Sequence, residues 1–145
     1  MSTGTLCSRV VATAAPNESV LAVARRMARH EVGTLVVLEG GEFGKPVGVV
    51  TDRDIAVRCT AEGLDPEETP VAQVMSQPVH AVDEYTAVEE ALARMARTGT
   101  RRLVVTGERG HLVGIFSLDD ALELLARQAS AVGQLLARQQ PQIPA

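Results

Sequence analysis

The chain has 145 residues, enough for one ordinary domain or two very small ones, and a net charge of −4. Hydrophobic residues make up 46% of it and aromatic residues only 2%, so its core is aliphatic. The acidic balance and the scarcity of aromatics disfavour a general nucleic-acid footprint and a base-stacking surface for single strands.

Cys7 and Cys59 form no metal-ligand or CxxC spacing and are expected to be reduced thiols. The N-terminus "MSTGTLCSRV" lacks the charged-then-apolar pattern of a signal peptide. No apolar run approaches the roughly 18 residues of a membrane span. These readings predict a cytoplasmic protein without a membrane partner.

In chain order, a short extended piece, "RVVAT", comes first. Val20, Val23, Ala24 and Met27 then recur at i, i+3, i+4, i+7, which predicts a helix. The strand "TLVVL", a Gly-rich turn within "LEGGEFGKP" and the strand "PVGVV" follow, and a second helix is expected after Thr51. Pro66 and Pro70 mark a linker, "AEGLDPEETPVAQVMS", with "PVAQVM" as a short helical turn.

The same elements then return. "PVHAV" is followed by a helix carrying Val88, Ala91, Leu92 and Met95, the strand "RLVVT", a turn, the strand "LVGIF" and a helix after Ser117. A shift of 68 residues lays Ser8 on Ser76, Arg26-Met27-Ala28-Arg29 on Arg94-Met95-Ala96-Arg97, and Leu35-Val36-Val37 on Leu103-Val104-Val105. Past the shorter second turn the shift becomes 66 and lays Gly48, Thr51 and Asp54 on Gly114, Ser117 and Asp120. The boundaries read as repeat one over 6–62, a linker over 63–74, repeat two over 75–128, and a C-terminal helix extension with a disordered tail over 129–145.

A repeat of roughly 60 residues buries too little surface to be comfortable alone, and its continuous apolar strands ask for cover on both faces. The expected fold is mixed α/β (α+β): two tandem β-α-β-β-α repeats packed sheet to sheet with pseudo-twofold symmetry, leaving ligand-sized clefts between the halves. Leu118, Ala121, Leu122, Leu125, Ala129, Val132 and Leu136 keep one stripe along the last helix. That stripe either covers the protein's own core or forms a dimer contact. The tail "QQPQIPA" is expected to be disordered.

The segments "GVVTDRD" and "GIFSLDD" carry the chemistry. Thr51 and Ser117 sit where strand turns into helix, with Asp54 and Asp120 three residues on, a variant of the capping box. Capping alone accounts for all four. A helix N-terminus also attracts phosphate, but a carboxylate there repels it and accepts instead from both hydroxyls of a cis-diol. A ribose near the acid then needs a separate cation for its phosphates. Arg101 and Arg102 supply one in repeat two, where repeat one has Gly33 and Thr34.

Other candidates are weaker. Arg53 and Arg58 lie on the helix after Thr51 and either reach phosphates or form a solvated face. His30, His80 and His111 are far apart, without metal spacing. Glu89 and Glu90 read as a solvated helix surface. "EGGEFGKP" is not a P-loop, and no Ser/His/Asp or Cys/His pairing stands out. Neither a metal nor a catalytic site is expected.

The duplicated unit, with "RRLVV" before "LVGIFSLDDAL" and "GTLVV" before "PVGVVTDRDIA", closely resembles the CBS domain pair, or Bateman module, named for cystathionine β-synthase. The resemblance spans about residues 6–128. It implies a stand-alone regulatory sensor rather than a catalyst, with AMP, ADP or ATP as ligand, S-adenosylmethionine as a further candidate, and no required cofactor. In such pairs the Asp accepts from the ribose hydroxyls, the Ser or Thr contacts ribose or phosphate, and basic side chains before the second strand take the phosphates.

The family's sites are crossed between repeats. The resemblance therefore groups Thr51 and Asp54 with His80, Arg101 and Arg102, and groups Ser117 and Asp120 with Ala12, Gly33 and Thr34. The first cleft is expected to hold the more charged nucleotide and the second to face a neutral wall. Signalling by conformational or oligomeric change, a homodimer and a protein effector are implied as well. The competing readings are a structural or interaction module with vestigial sites, and a relative of the IMP dehydrogenase regulatory region. For the latter the chain has no room for a catalytic barrel of about 250 residues.

Overall fold

The computed structural model describes residues 1–141 and Ile143. Gln142, Pro144 and Ala145 of the expected disordered tail lie outside the described residues. Strands β1 (Thr13–Ala14), β2 (Thr34–Glu39) and β3 (Lys45–Thr51) form one three-stranded sheet, and β4 (Ala81–Asp83), β5 (Arg102–Thr106) and β6 (Leu112–Ser117) form the other. In each sheet the short first strand runs parallel to the middle strand, which pairs antiparallel with the third.

Side-chain alternation explains why the middle strands are apolar throughout. Leu35 and Val37 of β2 pack beneath helix α2 (Val20–His30) with Val20, Val23 and Met27. Val36 and Leu38 point the other way and meet Val104 of β5 in a central layer joined by Val49 and Ile115. Leu103 and Val105 repeat the pattern beneath helix α4 (Val88–Thr98), with Val88, Ala91 and Met95. The two sheets thus cover each other, and helices cover their outer faces. Each of these helices ends on a left-handed residue at matching positions, Glu31 and Gly99.

The segments preceding each repeat are exchanged. Helix α1 (Thr3–Leu6) docks on the second repeat, where the Thr3 and Gly4 N–H groups donate to the Thr86 and Glu84 carbonyls. Thr3 Oγ1 donates to the Asp83 carbonyl at 3.0 Å, Cys7 joins the second core, and Ser8 bridges Ile115. Reciprocally, "PVAQVM" makes the expected helical turn at Val71–Gln73 and docks on the first repeat. Val71, Val74 and Met75 enter the first core, and Ser76 bridges Val49.

The exchange explains the glycine that opens each seven-residue motif. A Cβ at Gly48 would collide with the Met75 sulfur, and one at Gly114 would collide with the Ser8 carbonyl oxygen. Only glycine lets these crossing segments approach so closely.

After Thr51, helix α3 (Asp52–Ile55) runs on as a wider turn over Ala56–Thr60. After Ser117, helix α5 (Leu118–Gln139) continues for 22 residues. Its apolar stripe serves the protein's own core only at Ala121, with Leu124 half-buried beside it. From Leu125 onward every described residue is exposed, so the reading of a helix that covers its own core fails for the distal part. Among the described residues no helix is long and apolar enough to cross a membrane.

Candidate functional site

Both strand-to-helix junctions form full capping boxes. Thr51 Oγ1 accepts from the Asp54 N–H at 3.1 Å, and Asp54 Oδ2 accepts from the Thr51 N–H at 2.9 Å. Ser117 Oγ accepts from the Asp120 N–H at 3.2 Å, and Asp120 Oδ2 accepts from the Ser117 N–H at 2.7 Å and from the Ser117 hydroxyl at 2.8 Å. The caps expected from the sequence are therefore real. They hold each hydroxyl, and Asp120 among the acids, on the wall of a crevice between the repeats.

Thr51, His80, Arg101 and Arg102 line a cleft of about 150 Å³ together with Thr34 and Ser76. Asp54 is not on its wall. The Ser76 hydroxyl donates to Asp54 Oδ1 at 3.3 Å, and Arg58 Nε lies 3.9 Å from the same oxygen. Ser117, Asp120, Ala12, Gly33 and Thr34 line a second cleft of about 260 Å³. The grouping implied by the resemblance is thus reproduced in space, Asp54 alone standing back from the surface.

Arg102 also lines the second cleft. The expectation of a neutral wall there is overturned, because Arg102 opens β5 directly opposite Ser117 in the sheet. Thr34 occupies the same place in the other sheet, opposite Thr51, and it too lines both clefts. What distinguishes the clefts is the pair His80 and Arg101 in the first against Ala12 and Gly33 in the second. The first is smaller and more cationic. The second is roomier and exposes its acid.

Sequence reasoning missed a third feature. A cavity of about 620 Å³ follows the free edge of β1 and shares Val10, Val11, Ala12 and Val32 with the second cleft. An ion pair between Arg26 and Glu18, 2.5 Å apart, seals that edge. Arg26 donates to the Thr13 carbonyl at 2.7 Å, and Glu18 accepts from the Ala15 N–H at 2.7 Å, so the pair stands in for a further strand. The bond from Arg26 holds the Glu18 carboxyl below its ordinary pKa, and the same bond raises that of the Arg26 guanidinium. Repeat matching could not find this pair, since Arg94 matches Arg26 but Thr86 matches Glu18.

The remaining candidates resolve simply. Arg58 donates to the Val74 and Met75 carbonyls at 3.1 and 3.0 Å and so braces the exchanged segment, while Arg53 is exposed. His30 lines the β1-edge cavity, and His111 bonds the Glu108 carbonyl. Cys7 and Cys59 are buried free thiols, and burial pushes the Cys7 thiol pKa up. Among the described residues no three His, Cys, Asp or Glu side chains are placed to hold a metal ion.

Known proteins carry the same unit. The family model described as CBS domain matches residues 4–59 and 71–127. The CBS domain-containing protein YhcV of Bacillus subtilis is 40% identical over 110 residues, which cover 76% of this chain and 75% of YhcV. The protein MK0525 of Methanopyrus kandleri is 34% identical over 124 residues, and the match spans 86% of this chain but only 62% of MK0525. Among solved structures, the CBS domain protein PAE2072 from Pyrobaculum aerophilum, complexed with AMP, is 30% identical with a TM-score of 0.73. That match covers 83% of this chain and 89% of PAE2072.

Proposed function

The chain belongs to the CBS-domain family, and from that premise we propose that it is a regulatory module that takes an adenosine nucleotide in the clefts between its repeats. One observation carries the reading. Each cleft combines a hydroxyl from a capping box with Arg102, so a ribose-binding pole and a phosphate-binding pole face one space. The AMP complex of PAE2072 supports an adenosine ligand.

In this reading the acid of each box accepts from the ribose diol. Asp120 does so directly, and Asp54 does so once the Ser76 hydroxyl turns aside. Arg102 takes the phosphate in either cleft, Arg101 adds a second cation in the first, and His80 lies beside the base there. AMP, ADP and ATP are the expected ligands, with S-adenosylmethionine suited to the less cationic second cleft. The module works in the cytoplasm, as a homodimer, and passes its state to a protein effector. The energy it can transmit is the difference in ligand affinity between its two shapes.

A thermal-shift panel of AMP, ADP, ATP, S-adenosylmethionine, NAD and cyclic dinucleotides tests this. A ligand at 100 times its dissociation constant adds about 2.7 kcal/mol, a readily visible shift. Calorimetry on Asp54→Ala and Asp120→Ala then assigns the clefts. Deoxy-AMP binding as tightly as AMP would overturn the ribose role. A second reading, a structural module with vestigial clefts, is favoured by the 150 Å³ of the first cleft, which is below the usual range of about 300–1,000 Å³ for ligand sites. It predicts no shift with any compound in the panel.

A further inference from the structure

The distal part of α5 leaves the body of the molecule without shedding its apolar side chains. Leu122, Leu125, Val132, Leu135 and Leu136 are 52–60% exposed. Leu122, Leu125, Ala129, Val132 and Leu136 recur at alternating steps of three and four. That spacing averages 3.5 residues, the seam of a coiled coil rather than the broader stripe of a helix lying on its own core.

The seam is complementary to itself. Asp119, Asp120 and Glu123 lie in the first turns of α5, whereas Arg127 and Arg138 lie further along. Two copies side by side in opposite directions bring acidic ends to basic ends and oppose the helix dipoles, and a parallel pair stacks acid on acid. Along residues 122–139 the positions flanking the seam, Ala126, Gln128, Gly133 and Leu135, carry no charge that would repel a second copy. Gly133 has nothing within 4 Å of where a Cβ would stand, so a neighbouring helix has room to approach there.

We propose that residues 122–139 of α5 pair antiparallel with the same segment of a second copy of this chain. In the register that uses the whole seam, Leu125 lies against Leu136 of the second copy, and Ala129 lies against its Val132. The interface is isologous and closes as a dimer. It names the contact surface of the homodimer proposed above and rests on that part of the reading, independently of any nucleotide.

Sedimentation of the full chain tests it. The wild type is expected at twice the 15.4 kDa chain mass, and Leu125→Asp/Leu136→Asp is expected at the single mass with its helical circular dichroism retained. A dimer that persists in the double variant overturns the seam and leaves the dimer standing. A wild type that is monomeric up to about 100 µM, weaker than about −5.5 kcal/mol of association, overturns both. Orientation is read by mild oxidation after mixing Leu125→Cys chains with Leu136→Cys chains. A mixed disulfide absent from either variant alone supports the antiparallel pair, and same-position cross-links overturn it.

Discussion

Arg102 and Thr34 occupy equivalent positions in the two repeats, and each lines both clefts. Each opens the middle strand of its sheet, opposite the capping hydroxyl of the same repeat, Ser117 and Thr51 respectively. The pseudo-twofold relation thus delivers one arginine and one threonine, rather than two arginines, to the shared wall. Arg102 is therefore the cation that the two clefts share.

This sharing sets how substitutions divide. Arg102→Ala is expected to weaken AMP binding in both clefts by about tenfold, as befits loss of a charge-assisted contact on an exposed wall. Arg101→Ala is expected to weaken only the Thr51 cleft. Calorimetric titration resolves the two events. A variant of Arg102 that loses one event and leaves the other unchanged contradicts the shared-cation arrangement.

The motif glycines are expected to differ in sensitivity although they match in sequence. A Cβ at Gly114 meets the backbone carbonyl of Ser8, which moves only if the exchanged segment moves. At Gly48 it meets the end of the Met75 side chain, which can rotate away. Gly114→Ala should therefore cost the upper part of the roughly 1–3 kcal/mol typical of overpacking, and Gly48→Ala the lower part. Urea unfolding of the two variants decides the order.

The fold was legible in the sequence because duplication and alternation are both sequence properties. Leu35-Val36-Val37 and Leu103-Val104-Val105 announced strands covered on both faces, and Thr51-x-x-Asp54 and Ser117-x-x-Asp120 announced the caps. What was not legible depends on where segments cross in space. The apolar residues of Thr3–Leu6 and Val71–Gln73 give no sign that each packs on the other repeat. The neutral reading of the second cleft failed for a related reason: position 102 was assigned to one cleft by its repeat, whereas its place at the sheet start puts it between two. Glu18 was overlooked because its partner lies on the next helix and its counterpart, Thr86, carries no charge.

Removing residues 1–8 should damage the second repeat rather than the first. The deletion takes the buried Thr3 and Cys7 out of contact with β4 and β6 and leaves the Glu84 and Thr86 carbonyls without their partners. The apolar core surface uncovered costs about 25 cal/mol per Å², before the lost hydrogen bonds are added. Amide exchange is the direct measurement, with protection expected to fall across Leu112–Ser117 while Lys45–Thr51 keeps more of its own.

The Glu18–Arg26 pair gives stability a defined pH dependence. Arg26 holds the Glu18 carboxyl below its ordinary value in the folded chain. The contribution is therefore complete above the unfolded carboxyl pKa of about 4.3 and is lost as pH falls through the lower folded value. The pair is about a quarter exposed, which limits it to about 1 kcal/mol. Glu18→Gln should be less stable than wild type by about that much at neutral pH, and the two should converge in acid. Equal stabilities at neutral pH would show that the pair blocks the β1 edge without stabilising it.

The two acids of the capping boxes should separate by the residue each is coupled to and by binding. Each substitution to alanine removes a cap worth about 1 kcal/mol. Asp54→Ala also removes the acceptor of the Ser76 hydroxyl, a further neutral-to-charged hydrogen bond of about 1.5 kcal/mol at most on a half-buried site. Asp120 likewise accepts from a hydroxyl, that of Ser117 at 2.8 Å, but within its own cap, and it stands on the cleft wall. The two variants are thus expected to lose comparable stability, Asp54→Ala by releasing Ser76 of the exchanged segment and Asp120→Ala by releasing the Ser117 hydroxyl of its own cap. Adding Ser76→Ala to each background tests this directly. It should cost little beside Asp54→Ala, because the hydroxyl has already lost its acceptor, and should cost its full amount beside Asp120→Ala, a non-additivity that a double-mutant cycle measures.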